Sequence, residues 1–222
     1  STNNISVQAL GPDGSPIISR QVTSASSPTH ITQIGSEPGS YYGYQVVGIY
    51  QNQQDLDSSP VVLNGNGTVQ SKPGQLKFAD INGDGVITTA DRTVLGSPFP
   101  DYTFGMTNSF NYKNFDFAFT LQGVQGFEVL NLARRYYGNY SGTYNVLRST
   151  ADGWMSETDL GDGVSPQIDR NFNALAGSNV INNVTSLFVE DGSFLRIRNI
   201  TLGYNLPGFY IGTNTNTLNL QL

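Results

Sequence analysis

Twelve consecutive residues space oxygen-bearing side chains as a hard-cation loop does: Asp80-Ile81-Asn82-Gly83-Asp84-Gly85-Val86-Ile87-Thr88-Thr89-Ala90-Asp91. Asp80, Asn82 and Asp84 stand at alternate positions, so in a tightly coiled loop their oxygens converge on one point. Gly85 permits the sharp turn at position 6, Val86 offers a backbone carbonyl, and Thr88 can hold a water at position 9. Ile87 sits where a hydrophobic anchor belongs, and Asp91 supplies the acid at position 12. Aspartate reaches less readily than glutamate with both oxygens, which points to the ~10⁻⁴–10⁻³ M affinities of extracellular calcium modules. The expectation is one structural Ca²⁺ held by Asp80, Asn82, Asp84, Val86 and Asp91, stapling a loop. The same residues also make an Asp/Asn/Gly turn without any metal. Gln75 to Ala79 reads as extended, so the loop is not set between two helices.

Little else in the chain suggests chemistry. Cysteine is absent, which excludes disulfides and thiolate nucleophiles. His30 is the sole histidine and sits in a Ser/Thr-rich stretch without a partner for general-base work, so it reads as an ordinary surface residue. No catalytic constellation is visible, and the chain does not read as an enzyme. Arg134, Arg135, Tyr136, Tyr137, Tyr140, Tyr144 and Trp154 form a basic and aromatic group in a long polar segment. They are candidates for stacking on sugars or binding acidic groups, or for contacting a partner protein. Packing of the segment against its own scaffold is the plainer expectation. Asp152, Asp159 and Asp162, with nearby glycines, hint weakly at a second cation site. A net charge of -6 argues against nucleic acid as a partner.

The elements that must carry these residues show best between Tyr102 and Gln125. Tyr102, Phe104, Met106, Phe110 and Tyr112 share one parity, broken by Asn108, and alternate with Thr103, Gly105, Thr107, Ser109 and Asn111. After Lys113-Asn114 the pattern restarts with Phe115, Phe117, Phe119 and Leu121 against Asp116, Ala118, Thr120 and Gln122. Successive side chains of a strand point to opposite faces. A two-residue turn then pairs Tyr112 with Phe115, Phe110 with Phe117 and Met106 with Leu121, and gathers the large apolar residues on one face. Each arm matches the ~9–11 residues that a tilted strand needs to cross a bilayer. A half-buried soluble sheet also alternates. Two features favour a membrane barrel: the polar face carries Thr, Ser, Gly, Asn and Gln in place of Lys and Glu, and aromatic residues flank the turn. No run approaches the ~18 apolar residues of a transmembrane helix.

The rest of the chain divides accordingly. Residues 1–10 read as a strand end, 11–40 as loop, 41–50 as strand, and 51–75 as polar loop. Residues 126–190 read as one long insertion with a short helix near Glu128 to Tyr137. Residues 193–204 are a strand whose halves differ in phase, which reads as a bulge near Arg198-Asn199 or as Phe194 to Arg198 lying above the membrane. A turn region, 205–216, leads to a last strand, 217–222, which the chain leaves without closure, as in a fragment. Barrels of this kind have short periplasmic turns and long outer loops. Lys113-Asn114 is then periplasmic, and both the 126–190 insertion and the 80–91 loop fall outside.

Several motifs, in order, carry a family resemblance. Gly39-Ser40-Tyr41-Tyr42-Gly43-Tyr44 and Gly48-Ile49-Tyr50-Gln51 come first, then Pro73-Gly74 and the 80–91 loop running into Asp91-Arg92-Thr93-Val94-Leu95-Gly96-Ser97-Pro98. Pro100-Asp101-Tyr102-Thr103-Phe104-Gly105, Leu121-Gln122-Gly123-Val124-Gln125-Gly126 and the segment Asp191 to Pro207 complete the series. The set resembles SusC/RagA-type TonB-dependent transporters over roughly residues 35–126 and 190–207. That resemblance implies an all-β, transmembrane antiparallel β-barrel of about 22 strands around a plug, of which residues 1–222 would be a C-terminal part. It also implies a Bacteroidetes-type outer membrane and its lipid, import of glycans or peptides, a SusD-like lipoprotein lid, and TonB reached through a region not in this sequence. The rival expectation is a secreted, calcium-stabilised β-sandwich that binds carbohydrate, or an adhesin.

Overall fold

The computed structural model describes residues 1–19, 28–63, 67, 69, 71–138, 145, 147–168, 183–206, 209–211, 214–216 and 219–221, the last three stretches by their backbone. Its strands are β1 (Ile17–Ser19), β2 (His30–Thr32), β3 (Ser40–Tyr44), β4 (Val46–Ile49), β5 (Val61–Val62), β6 (Leu76–Phe78), β7 (Val86–Ile87) and β8 (Arg92–Gly96). They continue as β9 (Tyr102–Tyr112), β10 (Phe115–Gln125), β11 (Glu128–Leu130), β12 (Val189–Asp191), β13 (Phe194–Asn205), β14 (Phe209–Ile211), β15 (Asn214–Asn216) and β16 (Asn219–Gln221). Two short helices join them, α1 (Gln53–Asp57) and α2 (Arg134–Tyr137). The chain forms two compact units: residues 1–4, 99–127 and 191–222 in one, and 5–98 with 128–190 in the other.

The first unit is built on an antiparallel sheet in the order β16-β13-β10-β9. Strands β9 and β10 are eleven residues each and pair in the register that alternation requires: Tyr112 with Phe115, Phe110 with Phe117, Met106 with Leu121. Lys113 adopts the left-handed region (φ 53°) that a two-residue hairpin turn demands of its first residue. Strand β13 pairs along β10, with Tyr204 on Phe115, Leu202 on Phe117 and Ile200 on Phe119. Between Thr120 and Leu121 the register shifts, so Asn199 faces Thr120 and Ile197 faces Leu121. The extra residue is Arg198, which places the expected bulge. Its effect is to keep odd-numbered Leu195 and Ile197 on the face that even-numbered Ile200, Leu202 and Tyr204 occupy. Three strands therefore share one apolar face. Aromatic rings line it in series: Phe110 lies 6.4 Å from Phe117, Phe117 5.8 Å from Phe119, and Phe115 4.6 Å from Tyr204. Among the described residues nothing covers that face; Tyr112 is 70% exposed and Leu195 66%.

The opposite face is polar and locally bonded. Thr107 and Thr120 share a hydrogen bond of 3.2 Å, Arg196 donates to Gln122 at 3.0 Å, and Asn205 donates to Asp116 at 3.1 Å. Asn108 is the one polar residue of β9 on the apolar side, half-buried directly opposite Phe119. Residues 1–10 do not form the strand expected of them. Ser1 to Asn3 instead make a short ladder on the free edge of β9, with one bridge, Thr2 to Tyr102.

The second unit has its own core of Tyr44, Ile49, Val62, Leu76, Phe78, Ile87 and Trp154. Around it lie the sheet β1-β2-β3-β8 and the pairs β4-β6, β5-β7 and β11-β12. Two expected loops thus contain structure: 11–40 carries β1 and β2, and 51–75 carries α1 and β5. Helix α1 starts where Asn52 accepts the amide of Asp55 (2.8 Å), and Asp55 pairs with Lys77 on β6 at 2.9 Å. The lysine, together with amide and hydroxyl donors, holds the Asp55 carboxyl below the usual range. Residues 126–190 are likewise not a free insertion, since the segment beyond Glu128 packs into this unit. Gly43 shows how closely: a Cβ there would lie 2.2 Å from the Val184 carbonyl oxygen. The short helix expected near 128–137 occupies only Arg134–Tyr137, because Glu128–Leu130 is drawn into strand β11. The expected strands 193–204 and 217–222 appear as β13 and β16, and the intervening turn region holds the β14-β15 hairpin.

The ring of Phe104 lies over Gly123, where a Cβ would come within 2.2 Å of it. Gly123→Ala should destabilise the hairpin by about 1–3 kcal/mol, as overpacking does. Adding Phe104→Ala should recover most of that loss, measured as the folded fraction of the full-length protein in a denaturant titration. Additive losses in the double variant would show that the ring does not need the glycine.

Candidate functional site

The 80–91 loop folds around its own acids. Asp80 accepts the amides of Gly83 (2.6 Å) and Gly85 (2.7 Å), one on each carboxylate oxygen. Asn82 Oδ1 accepts the amide of Asp84 at 2.9 Å, and Asp84 Oδ1 accepts that of Val86 at 2.8 Å. Gly83 and Gly85 sit at φ 76° and 84°, the left-handed conformation that lets successive amides turn inward. These donors, led by Gly85, hold the Asp80 carboxyl below its ordinary range. Asp91 is fully buried. Its Oδ1 accepts the Ile81 amide at 3.0 Å and its Oδ2 the Thr88 amide at 2.7 Å, so it ties the start of the loop to its end. Thr88 and Asp91 also form a reciprocal cap on the short 3₁₀ turn Thr89–Asp91.

The fit to a cation is partial. Asp80, Asn82 and Asp84 lie in one loop, and Asp91 is fastened to its start through the Ile81 amide. Among the described residues, however, no three His, Cys, Asp or Glu side chains are gathered closely enough to hold a metal ion. An ion here would need the Asn82 amide oxygen and the Val86 carbonyl as well. The weaker second hint, at Asp152, Asp159 and Asp162, dissolves into turn chemistry. Asp162 accepts the amides of Val164 and Ser165 at 2.9 and 2.6 Å, and Asp159 accepts that of Gly161 at 3.3 Å.

The basic and aromatic group is not gathered into one site. Trp154 is buried: its ring packs on Gly74, where a Cβ would lie 2.4 Å away, and Nε1 donates to the Gln51 carbonyl at 3.1 Å. It is a core residue, and the reading of Trp154 as a substrate or lid contact is corrected. Hydrophobic burial of a large ring with one satisfied N–H explains the position fully. Arg134 pairs with Glu190 at 3.5 Å, and Asn131 donates both to Glu190 and to the Tyr137 hydroxyl (2.7 Å). Arg134 and Tyr137 thus fasten α2 to β12. Tyr136 is exposed. Arg135 belongs to α2, but its side chain, like Tyr140 and Tyr144, lies outside the described residues. His30 is half-buried, not a surface residue, with its ring 5.5 Å from Tyr41 and Nδ1 2.7 Å from Thr29. Burial lowers its basicity.

One feature escaped the sequence reading: Gly123 makes room for the Phe104 ring. The phase break placed the bulge at 198–199, and among the described residues its extra residue, Arg198, makes no side-chain hydrogen bond or ion pair.

No protein-family model matches the chain. It is 35% identical over 195 residues to the TonB-dependent receptor P3 of Formosa agariphila, covering 87% of this chain and 18% of that receptor. It is 31% identical over 168 residues to the TonB-dependent receptor SusC of Bacteroides thetaiotaomicron, covering 76% of this chain and 14% of that one. The structure of the RagAB peptide importer in its closed-closed state shares the fold, with a TM-score of 0.52 at 18% identity over 81% of this chain and 18% of the importer chain. The chain spans at most a fifth of the length of the curated relatives it matches.

The depressed carboxyl of Asp80 sets a pH dependence. Its charge stabilises the loop above the unfolded value of about 3.9, and that contribution is lost as pH falls through the lower folded value. Without added calcium, the Gly83 and Gly85 amides should stay protected down to about pH 4 and open below it, read by hydrogen exchange. Protection lost already near pH 6 would show that Asp80 does not hold the loop.

Proposed function

The chain belongs to the TonB-dependent receptors of the SusC/RagA type, and from that premise we propose that it supplies wall strands and outer loops of an outer-membrane nutrient importer. The observation that carries this reading is the continuous apolar face of β9, β10 and β13, left open across three paired strands, with a neutral polar face behind it. A secreted β-sandwich would bury such a face under a second sheet; among the described residues none covers it. Lipid on one side and an aqueous interior on the other match the two faces.

In this reading Lys113-Asn114 is the periplasmic turn. The opposite end of the sheet, where β9 and β13 begin and β10 ends, looks outward, and the long connections 5–98 and 128–190 leave from it. The solute is an oligosaccharide or a peptide. A SusD-like lipoprotein is the partner at the mouth, and TonB acts through another part of the receptor. The names SusC and RagAB among the relatives support that class of partner. Transport, not catalysis, is the activity of receptors of this type.

An arginine facing lipid at mid-membrane costs about 2–4 kcal/mol, while one facing the interior costs far less. Phe119→Arg should therefore impair folding of the full-length receptor in bilayers, and Thr120→Arg should be tolerated. Heat-modifiable gel mobility and protease resistance read the difference. Equal tolerance would remove the basis for a lipid-facing side.

The same reading gives the 80–91 loop a Ca²⁺, held by Asp80, Asn82 and Asp84 with the Val86 carbonyl and Asp91. What supports it is the alternate spacing of Asp80, Asn82 and Asp84 in one tightly turned loop, with Asp91 tied to its start through the Ile81 amide. Asp84→Ala should abolish binding of one Ca²⁺ at millimolar concentration and speed proteolysis within residues 76–95, with the barrel strands unchanged. Titration calorimetry showing no calcium-dependent heat in the unaltered receptor would leave the loop as a self-sufficient turn.

A further inference from the structure

Strand β13 contains one residue too many. Without Arg198, the run Leu195-Arg196-Ile197-Asn199-Ile200-Thr201-Leu202 would alternate without a break. The sheet accepts the extra residue as a bulge: Thr120 faces Asn199, Leu121 faces Ile197, and Arg198 has no partner across the ladder. A bulge gives up local pairing and re-aims a side chain. The inserted residue is a cation in a sheet with few charges. Arg198 is exposed, and no hydrogen bond, ion pair or ring contact engages it among the described residues. Its neighbour Arg196 is committed, to Gln122 at 3.0 Å and to the Phe194 ring at 5.2 Å.

Arg198 borders a hollow of about 540 Å³. Thr103, Gly105, Thr120 and Gln122, all of the polar parity, line it with Arg198, and Ser1, Phe104 and Leu121 complete the wall. Its side chains include hydroxyls, an amide and one free guanidinium, but no carboxylate. Asp116, the acid of β10, lies six positions from Gln122, or about 20 Å along the strand. We propose that Arg198 anchors a carboxylate-binding subsite on the polar face, taking an acidic, polyhydroxylated solute. A guanidinium fork matches a planar carboxylate with two parallel N–H···O bonds. Hydroxyl and amide neighbours suit the hydroxyls of such a solute. This rests on the reading of the polar face as the interior of the barrel.

The test uses the full-length receptor in outer-membrane vesicles, with p-hydroxyphenylglyoxal as an arginine reagent and peptide mass spectrometry as readout. Gluconate is the acidic probe; sorbitol is its neutral counterpart, and potassium chloride matches ionic strength. Arg198 should react readily without additive. Gluconate should slow that reaction about threefold once it reaches twice its dissociation constant, by mass action, while sorbitol and chloride leave it unchanged. Three results would overturn the subsite: no protection by gluconate, equal protection by chloride, or an Arg198 already inert because another part of the receptor holds it. A lipid-phase diazirine reagent applied in parallel reports on the wall itself. Label on Phe117 and Ile200 supports the barrel reading, and its absence there would overturn that reading whatever happens at Arg198.

Discussion

Everything in the membrane-type unit depends on backbone pairing along β10. That strand is bonded on both sides, to β9 over eleven partners and to β13 over ten. Because side chains alternate with period two, a slip of one residue would turn a whole strand over. The bulge is the single departure, and it restores what the sequence of β13 would otherwise break. Without it, Leu195 and Ile197 would project from the polar side. The ladder thus decides which face each residue meets, and the apolar face follows from the ladder.

The second unit obeys a different constraint. Its core draws on residues far apart in the chain, and small residues at the contacts allow that. Gly43 lets β3 press on the Val184 carbonyl, and Gly74, held at φ 84°, lets the Trp154 ring lie flat against the backbone. Tyr50, fully buried, donates its hydroxyl to the Pro60 carbonyl at 2.6 Å, so its polar end is satisfied inside the core. Tertiary burial, not local propensity, makes elements of two or three residues such as β5 and β7 persist.

Charge is used sparingly and locally. The acids of the 80–91 loop and of the 159–165 turn accept backbone amides, and at Asp80 and Asp162 these donors favour the ionised form. Side-chain ion pairs among the described residues are few and at least partly exposed, Lys77 with Asp55 and Arg134 with Glu190. Pairs of that kind contribute little stability. Against this background Arg198, unengaged among the described residues, is conspicuous.

By itself the sequence determined the hairpin, its register, the position of the bulge and the oxygen-rich loop, because each follows from a local rule: period two, a two-residue turn, a phase break, alternating Asp and Asn. It did not determine the second unit. Residues 11–40, 51–75 and 126–190 are rich in Ser, Thr, Asn and Gly and carry weak periodicity, so they read as loops. Only the tertiary structure joined them, since the partners that order them lie in other segments: β1 and β2 close on β3, β5 pairs with β7, and Ser186 accepts the Val46 amide from 140 positions away. Trp154 shows the difference most clearly. Its type and its setting suited a binding surface, and nothing within its own segment revealed that Gly74 and Gln51 would enclose it. Burial is a property of what comes from elsewhere in the chain, and for that residue only the folded structure could decide.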